Sequence, residues 1–183
     1  KRLDLSTWNT SNVLEMTCLA CRCTSLTDVN LSGIDTSHVS DFACMFSGCT
    51  SLESIDLSSL NTSSAMDFHD MFNGCTSLKH LDLSGFDTQA VLSMQEMFQN
   101  CPSLEDVDLS NFNTGSVMNS NRMFAGCTSL QKLNLSENFF NGLMSAAQPY
   151  TVQTTWCPLS NPDNIKNWKE MYRTWDDEEG GWW

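Results

Sequence analysis

Basic side chains are scarce. The 183 residues carry 9 Lys and Arg against 22 Asp and Glu, for a net charge of −13. So acidic a surface repels phosphate backbones and anionic headgroups, which sets nucleic acid and membrane surfaces aside and favours cationic groups as partners. Long apolar runs are missing as well: none approaches the roughly 18 residues that suggest a membrane-spanning helix. Gly-x-Ser-x-Gly and phosphate-cradling glycine loops do not occur. The three histidines, His38, His69 and His80, fall at unrelated places and are expected as exposed polar side chains rather than bases. A leader is lacking too. The chain opens on Lys1-Arg2-Leu3-Asp4-Leu5-Ser6, already the middle of a pattern, and is expected to be a piece of something longer.

Repetition is what the sequence has in abundance. A hydrophobic-Asp/Asn-Leu-Ser motif stands at Leu3-Asp4-Leu5-Ser6, Val29-Asn30-Leu31-Ser32, Ile55-Asp56-Leu57-Ser58, Leu81-Asp82-Leu83-Ser84, Val107-Asp108-Leu109-Ser110 and Leu133-Asn134-Leu135-Ser136. Every step is 26 residues, with no insertion. A second signature keeps the step: Met45-Phe46-Ser47-Gly48-Cys49, Met71-Phe72-Asn73-Gly74-Cys75, Met97-Phe98-Gln99-Asn100-Cys101 and Met123-Phe124-Ala125-Gly126-Cys127. Counting each unit from residues 1, 27, 53, 79, 105 and 131, equivalent residues share a position number.

Within a unit the apolar period changes. Leu81 and Leu83 alternate around Asp82, the spacing of a strand with one buried face. Val91, Met94, Met97, Phe98 and Cys101 follow one face of a helix, with Asp87 or Thr88 to cap its start. One unit cannot bury its apolar face alone, so units must stack. The expected fold is therefore α/β: a leucine-rich-repeat-like right-handed solenoid with one short parallel strand and one short helix per unit. Because a helix is about 10 Å wide and strands repeat at about 4.8 Å, that stack should curve, with the sheet on the inner side. The solenoid is expected over residues 1–136. A degenerate repeat and C-terminal cap should follow over 137–175, where Ile165, Trp168, Met171, Tyr172 and Trp175 recur at helical spacing, and an acidic, aromatic tail over 176–183.

The copies of Leu-Asp-Leu-Ser-x-Phe-Asp-Thr followed by Met-Phe-x-x-Cys-x-Ser-Leu resemble the BspA-like leucine-rich repeats of bacterial surface proteins, and among these the variety named for Mycoplasma lipoproteins, of unknown function. The resemblance covers about residues 1–136. It implies a secreted or cell-surface protein whose repeats serve adhesion or protein–protein contact, and it names no ligand.

Nine cysteines are present. Cys23, Cys49, Cys75, Cys101 and Cys127 share position 23 and are read as a ladder of small, buried, reduced thiols in preference to a metal stack or disulfide chain, since one column offers no tetrahedral cluster. Cys18 and Cys44 share position 18 with Cys21 nearby, and these three are candidates for a bridge between neighbouring turns. Cys157 has no evident partner.

On the strands, positions 3 and 5 point inward, so 2, 4 and 6 point out. Position 4 carries Asp56, Asp82 and Asp108 in succession, whose like charges need solvent, hydrogen bonds or a cation. These are the calcium candidates. A solvated polar face with Asp-to-turn hydrogen bonds is the preferred reading, because calcium takes about six or more oxygens from a dedicated loop. Position 2 varies, Arg2, Asp28, Ser54, His80, Asp106 and Lys132, and is the place to look for partner specificity. No catalytic residue and no cofactor is expected. The reading is a non-enzymatic extracellular or cell-surface recognition or adhesion module, binding a protein or glycan through the sheet face or edge loops. The alternative is a structural spacer in a larger extracellular assembly.

Overall fold

The computed structural model describes residues 1–135. The expected cap, the acidic tail and Cys157 lie outside the described residues.

The hydrophobic-Asp/Asn-Leu motif makes strands: β1 (Arg2–Asp4), β2 (Asp28–Asn30), β3 (His80–Leu81), β4 (Asp106–Leu109) and β5 (Lys132–Leu135). All pairings are parallel and step by one unit, Arg2↔Asp28, His80↔Asp106 and Asp106↔Lys132 among them. Position 5 lies inside in the first five copies, with Leu5, Leu31, Leu57, Leu83 and Leu109 all buried. The sheet is not continuous. The third copy, Ile55-Asp56-Leu57, forms no strand, leaving β1-β2 on one side and β3-β4-β5 on the other.

The opposite flank corrects the expectation of a helix. Val91 to Cys101 and its equivalents are successive turns, and no α-helix occurs among the described residues. Two left-handed residues four apart stop any helix in each unit. Position 18 has φ near +57° in Cys18, Cys44, Asp70, Glu96 and Arg122, and position 22 is left-handed in Arg22, Gly48, Gly74, Asn100 and Gly126. Main-chain amides then alternate between two uses. Met45 and Ser47 donate to the carbonyls of Phe42 and Cys44 within their own unit, at 3.3 and 3.0 Å. Phe42, Cys44, Phe46 and Gly48 donate to Asp67, His69, Met71 and Asn73 of the next unit, at 3.0, 2.9, 2.9 and 2.7 Å. Parallel bridges run unbroken through position 15, Glu15↔Asp41↔Asp67↔Ser93↔Asn119. Apolar residues at spacings of three and four served a turn ladder as well as they would a helix. Each unit is one backbone thick on both flanks, so the wedge that would have curved the stack is missing.

Between the flanks lies one dry interior. Phe46, Phe72, Phe98 and Phe124 stack with ring centroids 5.8, 6.0 and 5.2 Å apart. Position 26 supplies Leu26, Leu52, Leu78, Leu104 and Leu130, all buried. At the remaining corner a polar column is buried too: Thr10, Thr36, Thr62, Thr88 and Thr114. The Thr36, Thr62 and Thr88 hydroxyls each accept the amide of the following unit at 2.8 Å and donate to the carbonyl of that same residue at 2.9, 3.1 and 3.0 Å. Burial without a partner would cost each hydroxyl about 1–3 kcal/mol, and the repeat register supplies the partner.

Candidate functional site

Three surfaces carry chemistry. The first is the strand face. Position 2 is exposed as expected: Arg2 reaches Asp28 at 3.2 Å and Asp4 at 3.4 Å, and His80 lies 3.4 Å from Asp106. Ser54, in the copy without a strand, is exposed. A shallow depression of about 110 Å³ opens where His80, Asp106, Asp108, Lys132 and Asn134 meet over Leu81 and Val107. Of the six position-2 residues it gathers three, His80, Asp106 and Lys132.

Asp56, Asp82 and Asp108 each close a turn. Their Oδ1 atoms accept the amides of Ser58, Ser84 and Ser110 at 3.0, 2.9 and 2.9 Å. The serine hydroxyls and then these amides hold Asp56 and Asp82 below the usual carboxylate range, with the neighbouring carboxylates of Asp56 and Asp108 opposing the effect at Asp82. Asp108 is lowered by Ser110 and by the Asn134 amide, which donates to it at 3.0 Å. The three carboxylates lie along the stack without converging on one point.

A second surface is an apolar stripe that sequence reasoning missed. Position 14 holds Leu14, Met66, Leu92 and Met118, exposed by 62, 49, 40 and 68%, with Ser40 between the first two. The stripe stands beside the position-15 bridges, and its amides join unit to unit, Leu92 to the Met66 carbonyl and Met118 to that of Leu92, each at 2.8 Å. Reading Val91 and Met94 onto a helix hid Leu92 and its equivalents, because a helix gives no reason for one position to be exposed in every copy.

The third surface is the left-handed corner at positions 17 and 18. Cys44, His69 and Asp70, all half-buried, bring a sulfur, a ring nitrogen and a carboxylate oxygen within 4.8 Å of one another. Cys44 Sγ lies 3.8 Å from His69 Nε2. The other ring nitrogen, Nδ1, lies 2.9 Å from Asp67 Oδ2, while Asp67 Oδ1 accepts the His69 amide at 2.7 Å. His69 is therefore held by a carboxylate and a thiol, which the expectation of an unattached polar histidine did not foresee. Burial, then the neighbouring Cys18, raises the Cys21 thiol. Cys18, Cys21 and Cys44, the candidates for a bridge, are free thiols. Burial, then Cys18 and Asp70, push the Cys44 thiol up to about 12. The cluster draws on three units, Cys18 and Cys21 from the first, Cys44 from the second, His69 and Asp70 from the third. Looking down single columns could not find it. Comparing adjacent copies at one corner could.

The position-23 thiols are inside. Cys49, Cys75, Cys101 and Cys127 donate to the carbonyls of Ala20, Phe46, Phe72 and Phe98 at 3.2, 3.1, 3.0 and 3.0 Å. Burial pushes Cys49 up to about 11 and Cys75 and Cys101 up to about 12. Cys23, in the first unit, is exposed.

The sequence model of a family described as "Mycoplasma protein of unknown function, DUF285" matches residues 1–104 and, overlapping them, 56–146. No curated protein and no solved structure matches the chain.

Proposed function

The chain belongs to that Mycoplasma family of unknown function, and from this premise we propose that it is a BspA-like solenoid acting as a non-enzymatic recognition or adhesion module outside the cell or at its surface. The observation that carries the reading is the position-14 stripe. Four large apolar side chains, Leu14, Met66, Leu92 and Met118, stand exposed along one corner because the repeat register aligns them. Aligned apolar groups rimmed by polar side chains mark a surface that another macromolecule covers, and methionine adapts to irregular partners. A protein partner fits such a stripe better than a glycan. The acidic strand face, with Asp56, Asp82 and Asp108 charged in a row, supports a partner that brings basic groups to the neighbouring surface. The reading without catalysis is supported at the Cys44–His69–Asp67 line, where burial and adjacent carboxylate and thiol groups keep Cys44 protonated near neutral pH, the reverse of an activated nucleophile.

The test is binding of chain-coated beads to immobilised host matrix proteins and to cell layers. Met66→Ser/Leu92→Ser/Met118→Ser should lower binding at least about tenfold with the melting temperature unchanged, since these side chains are outside the core. His80→Ser/Asp106→Ser/Lys132→Ser should have the smaller effect and act on the salt dependence. Full binding by the stripe variant overturns the proposal, and full binding by both variants favours the spacer reading.

A further inference from the structure

The geometry points to a zinc-type metal site at the left-handed corner, with Cys44, His69 and Asp70 as ligands and Cys18 as the fourth. This site is separate from the position-14 stripe that carries the adhesion reading.

The donor set fits first. Zinc binds thiolate at about 2.3 Å, imidazole at about 2.0–2.1 Å and carboxylate at about 2.0–2.2 Å, so a tetrahedral ion holds its ligands roughly 3.3–3.8 Å apart. Cys44 Sγ and His69 Nε2 are already 3.8 Å apart, and Asp70 lies within 4.8 Å of both. Small movements of three half-buried side chains close the set. Cys18 stands at the same corner one unit before Cys44, in the same left-handed conformation, and Cys18-Leu19-Ala20-Cys21 has the two-residue spacing of a zinc-binding arm.

Orientation fits next. A metal-bound histidine almost always presents its other ring nitrogen to a carboxylate or carbonyl, which fixes the tautomer and the ring. Asp67 does this for His69, at 2.9 Å, and is itself fixed by the His69 amide. Nε2 is thereby left as the acceptor, aimed at Cys44. The main chain contributes through the shared left-handed conformation of Cys18, Cys44 and Asp70, φ 59°, 56° and 57°, which sends three successive side chains out from the same corner.

Coordination replaces the Cys44 thiol proton, so binding must release protons. In later units the corner is altered. Gln95-Glu96 and Asn121-Arg122 replace the pattern, and Arg122 lies 3.9 Å from Glu96. The ligand set is confined to the first three units.

Titration of the full chain, reduced and stripped of metal, with Co2+ as an optical stand-in for Zn2+ provides the test. One ion per chain should bind, with tetrahedral visible absorption and a near-ultraviolet thiolate charge-transfer band. Cys44→Ser should weaken that band and Cys18→Ser/Cys44→Ser should abolish it, and His69→Gln should weaken binding beyond the effect of Asp67→Asn. Asp67→Asn, which keeps every ligand, should keep the band and lower affinity roughly 10- to 100-fold. His80→Gln, on the strand face, should change nothing. Circular dichroism checks that each variant folds; if the cysteine variants do not, the other two affinities decide. Absence of the band, its survival in Cys18→Ser/Cys44→Ser, or affinity unmoved by both His69→Gln and Asp67→Asn would overturn the site.

Discussion

The two flanks of the stack receive the same 26-residue instruction and obey it differently. On the turn flank, main-chain hydrogen bonds pass from unit to unit through four successive bridges that link five positions, from Glu15 to Asn119. On the strand flank the sheet stops at the third unit and resumes at the fourth. Carboxylates alone do not explain the difference, since Glu15, Asp41 and Asp67 also stand in a row on the flank that stays paired. Cross-strand partners do. Strands pair where position 2 brings a nitrogen side chain to a carboxylate, Arg2 with Asp28 and His80 with Asp106. They pair through position 4 where an amide meets a carboxylate, Asn30 with Asp4 and Asn134 with Asp108, each at 3.0 Å. The third unit offers Ser54 and Asp56, with neither kind of partner. Such side-chain pairs are the unit of sheet stability, whereas the turn flank is closed by its own backbone and by the phenylalanines beneath it.

The largest expected break of this comparison is Phe72→Ala. Phe72 is fully buried between Phe46 and Phe98, and its loss should cost about 3–5 kcal/mol in chemical denaturation. A cost near that of an exposed residue would mean that the turn flank is not the structural spine.

Alkali should come next, because Cys49, Cys75 and Cys101 titrate together. Their folded-state values lie above the ordinary 9.0, so the stability they confer is complete below about pH 9 and is lost as pH climbs toward 11–12. The strand flank has the opposite sign. Asp4, Asp56, Asp82 and Asp108 are held below 3.8, so their contribution is present above that value and fades as pH falls through the lowered ones. The acid arm should be the shallower, since those groups are exposed. Melting temperatures across the pH range check both arms, and a chain indifferent to alkali contradicts the buried thiols.

Thr62→Val should cost about 1–3 kcal/mol by leaving the Asp87 amide without its acceptor, with little change in volume. Equal stability of the variant would mean the corner column is ornamental. The smallest effect sharpens the comparison directly. Ser54→Arg/Asp56→Asn supplies the missing pairs and should add about 0.5–1 kcal/mol, with amide exchange slowed around 54–57. Unchanged exchange there would show that the gap has another cause.

Much of this was written openly in the sequence. The step from Leu57 to Leu83 to Leu109 fixes which residues lie over one another, and alternation around Asp82 fixes which side of the strand faces in. The turn flank was less legible because Met94, Met97 and Phe98 satisfy a helix and a pair of turns equally, and only the left-handed Glu96 and Asn100 separate the two. Neither residue advertises that conformation as a glycine would. The buried threonines were hidden for a different reason. Thr62 is polar and sits in a polar stretch, and its partner is 25 residues away. The corner cluster was obscured because its ligands are spread over three copies, each unremarkable alone.

The left-handed corner at position 18 accepts a thiol, two carboxylates of different length and a guanidinium, in Cys18, Cys44, Asp70, Glu96 and Arg122, at nearly one backbone angle. Its shape is thus imposed by the neighbouring coils and owes nothing to the side chain it bears. Such a corner works like a rack of interchangeable sockets. Whole units can be gained or dropped and new chemistry mounted outside, with the interior none the wiser.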